Sequence, residues 1–152
     1  MVTQFRRIGA SLVAWVAVWA FWLIVTRDFH PLFSLAVVVT TSLVVAYAAA
    51  AYVNHLVLIP RLNGTGRRWS YAISLAMTMA VLTAAALAVI RVTYAEWWGP
   101  DPDPNGVFKH YAIDLFGMAV HVLLAAGVVA VVRRLRRAHS SSKSSSTAVP
   151  RR

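Results

Sequence analysis

The residues of this sequence best suited to chemistry lie in its last apolar run. His110, Asp114 and His121 are four and seven residues apart, which places them near one face of an α-helix. Because a polar group inside hydrocarbon is costly, such residues in a membrane span are candidates for function. One interpretation of the pattern is a small-ligand, proton or metal site that opens at one end of the helix, completed by His30 and Asp28 from an earlier turn.

The same residues also allow a structural interpretation, which the sequence leaves open. In it, His110 and Asp114 form a local pair at the depth of the lipid headgroups, and His121 bonds to a Ser or Thr of a neighbouring helix. Haem ligation is not expected, because the first and third apolar runs contain no His that would face His121. Zinc is not expected either, since His and Asp at this spacing supply only two ligands. The sequence therefore predicts no metal and no cofactor.

An enzymatic activity is not expected. The chain has no cysteine, which excludes thiolate nucleophiles, disulfides and Cys-ligated metals. The Ser and Thr residues of the apolar runs have no base beside them that would make them nucleophiles. They are interpreted as hydrogen-bonding groups between helices.

The elements that hold these residues are predicted to be membrane-spanning helices. Of the 152 residues, 59% are hydrophobic and 13% are charged, and the mean hydropathy of +0.64 lies well above that of a soluble domain. The charged residues cluster between apolar runs instead of alternating with apolar residues. This indicates an all-α membrane protein with four transmembrane helices as two hairpins, at about 8–26, 32–59, 69–92 and 110–132 of a domain covering residues 1–137.

The net charge of +10 predicts the orientation of these helices and not nucleic-acid binding. Twelve Lys or Arg residues lie at the two termini and in the loop after the second run, whereas three lie in the other two loops. By the positive-inside rule, the N-terminus, the C-terminus and the 60–68 loop face the cytoplasm of a bacterial inner membrane. The basic, Ser-rich segment 138–152 has no apolar period and is predicted to be a disordered tail.

The third run carries a row of small residues suited to close helix packing. Small side chains at four-residue spacing let helix backbones approach one another in lipid. The row consists of Ala72, Ala76, Ala80, Ala84 and Ala88. It predicts a packing face for another helix, either in a second copy of the chain or in another membrane protein.

The first run carries an aromatic stripe, made of Trp15, Trp19 and Trp22. One interpretation is a wall that binds a quinone or a drug. The other is aromatic packing together with anchoring at the membrane interface, which requires fewer assumptions and is preferred.

The end of the second run forms the most distinctive motif of the chain. Tyr52 and Asn54 precede a Leu-Ile-Pro sequence that ends at Pro60, and Arg61 and Tyr71 follow. Because proline lacks a backbone donor and clashes with the preceding turn, Pro60 is expected to stop the helix. The motif is interpreted as a cytoplasmic connector between the two hairpins.

This motif resembles the membrane (sensor) region of LytS/YehU-like bacterial sensor histidine kinases, and the resemblance covers about residues 9–137. In that family the fourth span continues into a helix that bears the phosphoacceptor His in a Pro-His-Phe context, and then into an ATP-binding domain. Here His139 lies between Ala and Ser, and the fifteen residues of the tail are too few for a kinase domain. The resemblance therefore implies a sensor region without the kinase domain and carries over no catalytic residue.

The expected function is that of a sensor-like or partner-binding membrane module without a catalytic output domain. Its expected partners are the lipid bilayer and either a second copy of the chain or another membrane protein such as a separate kinase, and no nucleic acid. The alternative is a small-solute or proton-coupled carrier that uses the polar residues of the fourth span.

Overall fold

The computed structural model describes residues 2–63, 68–99 and 106–145, and it confirms the predicted all-α class. Helix α1 covers Val2–Thr26 and is followed by a 3-10 turn at Arg27–Phe29. Helix α2 covers Phe33–Val53 and continues as a π-helix over Asn54–Asn63. Helix α3 covers Arg68–Trp97, and α4 covers Val107–Ser145. The order of helices within the described ranges is therefore the one expected from the four apolar runs.

Four helical stretches are long and apolar enough to cross a membrane, and they overlap the four predicted spans. They are Ser11–Phe29, Phe33–Leu62, Arg68–Trp97 and Val107–Val132. Large apolar side chains cover the outer surface, where Val13 is 71% exposed and Phe116 is 73% exposed. A soluble monomer rarely exposes apolar surface on this scale, whereas lipid tails contact it without penalty. The chain is a multi-pass membrane protein.

Helix α2 is the centre of the bundle. It contacts α1, α3 and α4, and α3 also contacts α4. The core where these helices meet is formed by Ala46, Tyr47, Ala50, Ala86, Met118 and Val122. None of the described side chains of α1 is buried, so α1 lies at the edge of the bundle against α2.

The tryptophan stripe of α1 faces the other helices. Trp15 packs against the core, and Trp19 donates a hydrogen bond from its Nε1 to the Thr41 hydroxyl at 3.0 Å. Trp22 donates to His121 on α4. Because each ring is engaged within the bundle, the geometry favours the packing interpretation over a wall for a quinone or a drug.

The expectation that Pro60 stops the second helix is wrong. The chain keeps a helical course as far as Asn63, but it widens to a π-helix from Asn54 onward. In an α-helix the ring of Pro60 would collide with the carbonyl of Leu56, four residues earlier. The π-helix bonds residues five apart, and this wider winding lets the chain pass the proline.

Helix α4 extends further than expected. It runs to Ser145, eight residues into the segment 138–152 that was predicted to be a disordered tail. Extending an existing helix gains one hydrogen bond for each residue ordered, so a membrane span can continue into a sequence with weak helix propensity. Residues 146–152 lie outside the described residues, and their disorder stays a prediction.

The alanine row of α3 lies mainly on the outer surface. Four members of the row are exposed, namely Ala72, Ala76, Ala84 and Ala88. The fifth, Ala80, is half-buried. The buried residues of this helix are instead Thr83, Ala86 and Leu87. The row is therefore largely unused by the packing of the described helices and stays available to a partner.

Candidate functional site

A cavity of about 770 Å³ lies at the end of the bundle where α1 turns into α2, and we call it the end cavity. Its wall comes from this turn, from the first half of α2, from the second half of α3 and from the first two turns of α4. The lining residues are Asp28, Phe29, His30, Pro31, Val39, Leu43, Leu87, Ile90, Arg91, Tyr94, Trp98, His110, Ile113 and Asp114.

Three of the four candidate ligand-binding residues line the end cavity. His110 and Asp114 come from the start of α4, and His30 comes from the turn between α1 and α2. Because the helices alternate in direction, these distant segments lie at the same end of the bundle. His121 is not part of the lining. Ligand binding in the end cavity stays a prediction.

The inner part of the end cavity is apolar. Leu43 of α2 and Leu87 and Ile90 of α3 line it with aliphatic side chains. A volume of about 770 Å³ lies within the range of small-molecule sites, which are mostly apolar with a few placed polar groups. The end cavity thus has the composition and size of a small-molecule site.

A hydrogen bond joins the α1–α2 turn to the end of α3 beside the end cavity. It links His30 Nδ1 to the Tyr94 hydroxyl, and the two ring centroids are 6.0 Å apart. Tyr94 is held in place because its carbonyl accepts the backbone N–H groups of Trp98 and Gly99, at 2.9 and 3.1 Å. Burial lowers the pKa of His30 below its ordinary value, since desolvation disfavours the charged imidazolium. His30 is therefore mostly neutral at pH 7.

The two carboxylates of the end cavity differ in their partners. Asp28 Oδ1 accepts a hydrogen bond from Arg27 Nε at 3.1 Å, although both side chains are largely exposed and the pair contributes little stability. Asp114 is half-buried and, within the described parts of the chain, it forms no hydrogen bond and no ion pair. The predicted local pair of His110 and Asp114 is therefore not a hydrogen-bonded one.

No metal centre forms among the residues that the structure describes. Within 2–63, 68–99 and 106–145, no three His, Asp or Glu side chains lie close enough together to hold a metal ion. The interactions that the end cavity offers a ligand are hydrogen bonds, ionic contacts and apolar packing.

His121 lies deeper in the bundle, and both of its ring nitrogens have partners. Its Nδ1 donates to the carbonyl of Gly117 at 2.7 Å, because a carbonyl only accepts. Its Nε2 accepts from Trp22 Nε1 at 3.1 Å, because an indole nitrogen only donates. These contacts require the neutral imidazole with its proton on Nδ1. The structural interpretation expected a Ser or Thr partner, and the geometry supplies Trp22 and Gly117 instead.

Tyr47 and Gly117 complete the packing around His121. The rings of Tyr47 and His121 are stacked, with centroids 4.6 Å apart and planes 24° apart. A Cβ at Gly117 would lie 3.0 Å from the Tyr47 hydroxyl oxygen, so the close approach of the tyrosine depends on the glycine. Met118 and Val122 lie one and two turns further along α4 than Asp114 of the cavity lining, and both are fully buried. Together with Tyr47 they belong to the hydrophobic core.

The motif at the end of α2 bonds this helix to α1 and α3 at the end of the bundle opposite the end cavity. The Tyr52 hydroxyl is hydrogen-bonded to a serine of α1, and Tyr71 of α3 donates to Asn54 Oδ1 at 2.8 Å. Asn54 is only 3% exposed, so the second bond satisfies a buried amide. Pro60 and Arg61 are exposed on the π-helix.

Sequence reasoning did not find the partners that hold the predicted histidines. Tyr94 lies 64 residues from His30, and Trp22 lies 99 residues from His121. No periodic pattern connects positions so far apart. The available signal was chemical: a Trp or Tyr in an apolar run carries one polar atom that needs a partner when it is buried.

Comparison with known proteins supplies no relative, since the chain matches no protein-family model, no curated protein and no solved structure. The resemblance to LytS/YehU-like kinases therefore stays a prediction that rests on the motif, and a function has to be argued from the geometry.

Proposed function

We propose that this protein is a sensor-like module of the bacterial inner membrane, which binds a small ligand in the end cavity and passes the signal to a protein partner. The end cavity carries the proposal. His30, His110 and Asp114 converge there from distant segments around a space of small-molecule size. A span that served only as an anchor would need neither this space nor a half-buried carboxylate, which is costly in a membrane.

The charge distribution supports an end cavity that opens to the outside of the cell. Twelve of the 15 Lys and Arg residues lie at the termini or in the 60–68 loop. The described parts of these segments lie at the end of the bundle opposite the end cavity. The positive-inside rule assigns that end to the cytoplasm. A ligand would then enter from the opposite side, and the cytoplasmic end would carry the signal.

The outward-facing alanine row supports a partner helix. Small side chains allow close backbone approach in lipid, and the described helices leave most of this row exposed. The partner is a second copy of the chain or a separate membrane protein such as a kinase, whose helix would pack along Ala72–Ala88.

Access to the end cavity can be measured because the chain has no native cysteine. Ile113→Cys places a thiol in the cavity lining, and we expect a membrane-impermeant maleimide to label it in intact cells. Val128→Cys on the same helix is the matched control, because this exposed side chain lies in the apolar span and away from the cavity. If Ile113→Cys is not labelled from outside, the proposed outward site is wrong.

The partner is tested by crosslinking two positions of α3 in native membranes. Ala76→Cys lies on the exposed row, and we expect it to form a specific crosslink. Ala86→Cys is the control, since Ala86 is 6% exposed and faces the core. A strictly monomeric Ala76→Cys protein, with no crosslinked or copurifying partner, would remove the partner from the proposal.

The carrier alternative has less support from the geometry. A carrier needs a path from the end cavity to the other side, but Tyr47, Met118 and Val122 pack closely below the cavity lining. The alternative requires Asp114→Asn to abolish a solute flux in reconstituted vesicles. An unchanged solute flux in the Asp114→Asn variant would exclude the carrier alternative.

A further inference from the structure

We infer that the ligand of the end cavity is a small organic cation, with an ammonium group on an apolar body about the size of a phenylethyl group. The inference rests on the proposed function and names the ligand class for the same site. It follows from which charged groups of the cavity already have partners, and from the side chains around them.

Asp114 is the group suited to hold the cation. It lines the end cavity, it is half-buried, and it has no hydrogen bond or ion pair in the described parts of the chain. The other cavity carboxylate, Asp28, is exposed and already paired with Arg27. A half-buried carboxylate is stabilised most by a hydrogen-bonding cation, because charge-assisted bonds are the strong ones.

The positive groups around the end cavity are poorly placed to bind an anion. Arg91 lines the cavity, but it has an interaction within the protein, and its Nη2, which has no hydrogen-bond partner, is buried out of contact with solvent. His30 is bonded to Tyr94 and is mostly neutral, since burial lowers its pKa. His110 is exposed, where solvent and salt screen electrostatic attraction.

The remaining lining suits the body of such a cation. Leu43, Leu87 and Ile90 give an apolar inner wall that would pack against an aliphatic or aromatic group. Tyr94 and Trp98 line the same cavity and present aromatic rings, which attract an ammonium group through the ring quadrupole. A ligand whose apolar group packs against the inner wall and whose ammonium group lies near Asp114 would bind to both the apolar and the polar part of the end cavity.

The test compares three probes with nearly the same apolar body and different charge: phenethylammonium, 2-phenylethanol and 3-phenylpropanoate. Their binding to the full chain in lipid nanodiscs is measured by titration calorimetry. We expect phenethylammonium to bind at least about ten-fold more tightly than the other two, the effect of one charge-assisted hydrogen bond. Equal binding of all three, or tighter binding of the carboxylate, would overturn the inference.

Variants of the two cavity carboxylates assign the effect to one residue. Asp114→Asn should weaken phenethylammonium binding at least about ten-fold, whereas Asp28→Asn should change it by no more than about two-fold, since Asp28 is exposed and paired. Asp114→Glu keeps the negative charge and should retain the preference for phenethylammonium over the other two probes. This variant therefore tests the assignment even if Asp114→Asn fails to fold. Loss of the preference in Asp114→Glu and its retention in Asp114→Asn would contradict the assignment.

The outcomes separate the ligand class from the site itself. If the cation does not bind but Ile113→Cys is still labelled from outside, the ligand class is wrong and the proposed site stands. If Ile113→Cys is not labelled, the proposed site is wrong, and the ligand class assigned to it is wrong as well.

Discussion

His121 lies in a membrane span, yet both of its ring nitrogens are used by the bundle itself. It is held as the neutral tautomer between a donor on α1 and an acceptor on α4. Protonation would place an N–H against the indole N–H of Trp22, with no acceptor between them. Asp114, less than two turns away, has no such partners among the described residues. The number of hydrogen-bond partners therefore separates the structural residue of this span from the candidate binding residue.

A double-mutant cycle will measure the bond between Trp22 and His121. Trp22→Phe and His121→Phe each remove the bond and keep an aromatic ring, so their coupling energy should be about 0.6–1.7 kcal/mol, the range for hydrogen bonds between membrane helices. The measurement is the free energy of unfolding in bicelles titrated with SDS. Trp19→Phe with His121→Phe is the control, because Trp19 bonds to Thr41 and the two changes should be additive within about 0.5 kcal/mol. Equal coupling in both cycles would contradict the assigned bond.

Gly117→Ala should destabilise the bundle by about 1 kcal/mol. Alanine favours the helix by about 1 kcal/mol, but overpacking in a core costs about 1–3 kcal/mol. Here the new Cβ would lie 3.0 Å from the hydroxyl of Tyr47, which is 6% exposed and cannot easily move. Gly127→Ala is the control, since nothing lies within 4 Å of its Cβ position, and it should not destabilise. If both variants gain stability, the close contact at Gly117 is wrong.

The pH dependence of stability should contain a contribution from His30. Its pKa in the folded protein is below the ordinary value of about 6.5, so the unfolded chain binds the proton more readily. Its contribution to stability is therefore present above about pH 6.5 and is lost as the pH falls through the lower folded pKa. Thermal unfolding between about pH 7.5 and 5 should show a larger loss for the wild type than for His30→Gln, which cannot titrate. Identical profiles would contradict the burial of this imidazole.

At the scale of elements, α2 is fastened to its neighbours at both ends of the bundle. At one end its preceding turn bonds to α3 through His30 and Tyr94. At the other end, Asn54 bonds to Tyr71 just where the α-helix widens into the π-helix that accommodates Pro60. The connector motif therefore has a local physical role, whatever its relation to sensor kinases.

The two tyrosines of the connector motif should differ in their contribution to stability. Tyr71→Phe leaves the amide oxygen of Asn54 without its donor in a site that is 3% exposed, which should cost about 1–3 kcal/mol. Tyr52→Phe removes a bond from a side chain that is 41% exposed and should cost less than about 0.5 kcal/mol. Unfolding of the two variants in SDS-titrated bicelles measures the difference. Equal losses would mean that Asn54 has another partner or is hydrated.

At the scale of the whole molecule, burial and charge are distributed along different axes. Burial is greatest around α2 and absent from the described side chains of α1, so the bundle has a centre and an edge. Charge differs between the two ends, with most of the described basic residues opposite the end cavity. The first property makes α2 the central helix, and the second is the basis of the proposed orientation.

The orientation of the molecule should appear in thiol labelling at its two ends. Phe108→Cys, at a position 80% exposed beside the end cavity, should react with an impermeant maleimide in intact cells. Trp69→Cys, at a position 83% exposed near the basic loop, should react only after the membrane is permeabilised. The opposite pattern would place the end cavity in the cytoplasm and reverse the proposed direction of sensing.

The number of spans, their approximate bounds and the charge difference between the two ends could be predicted from the amino-acid sequence. These follow from local properties, because any uncharged run of about 20 residues is long enough to cross a bilayer. The candidate set of His30, His110, Asp114 and His121 also came from the sequence, and the structure brings the first three of them to one cavity. Three features became evident only from the folded chain: His121 is bonded to Trp22 and lies outside the end cavity, the alanine row faces outward, and the chain passes Pro60 as a π-helix. Those outcomes depend on how the helices are rotated against one another, and rotation is set by packing between residues far apart in the chain.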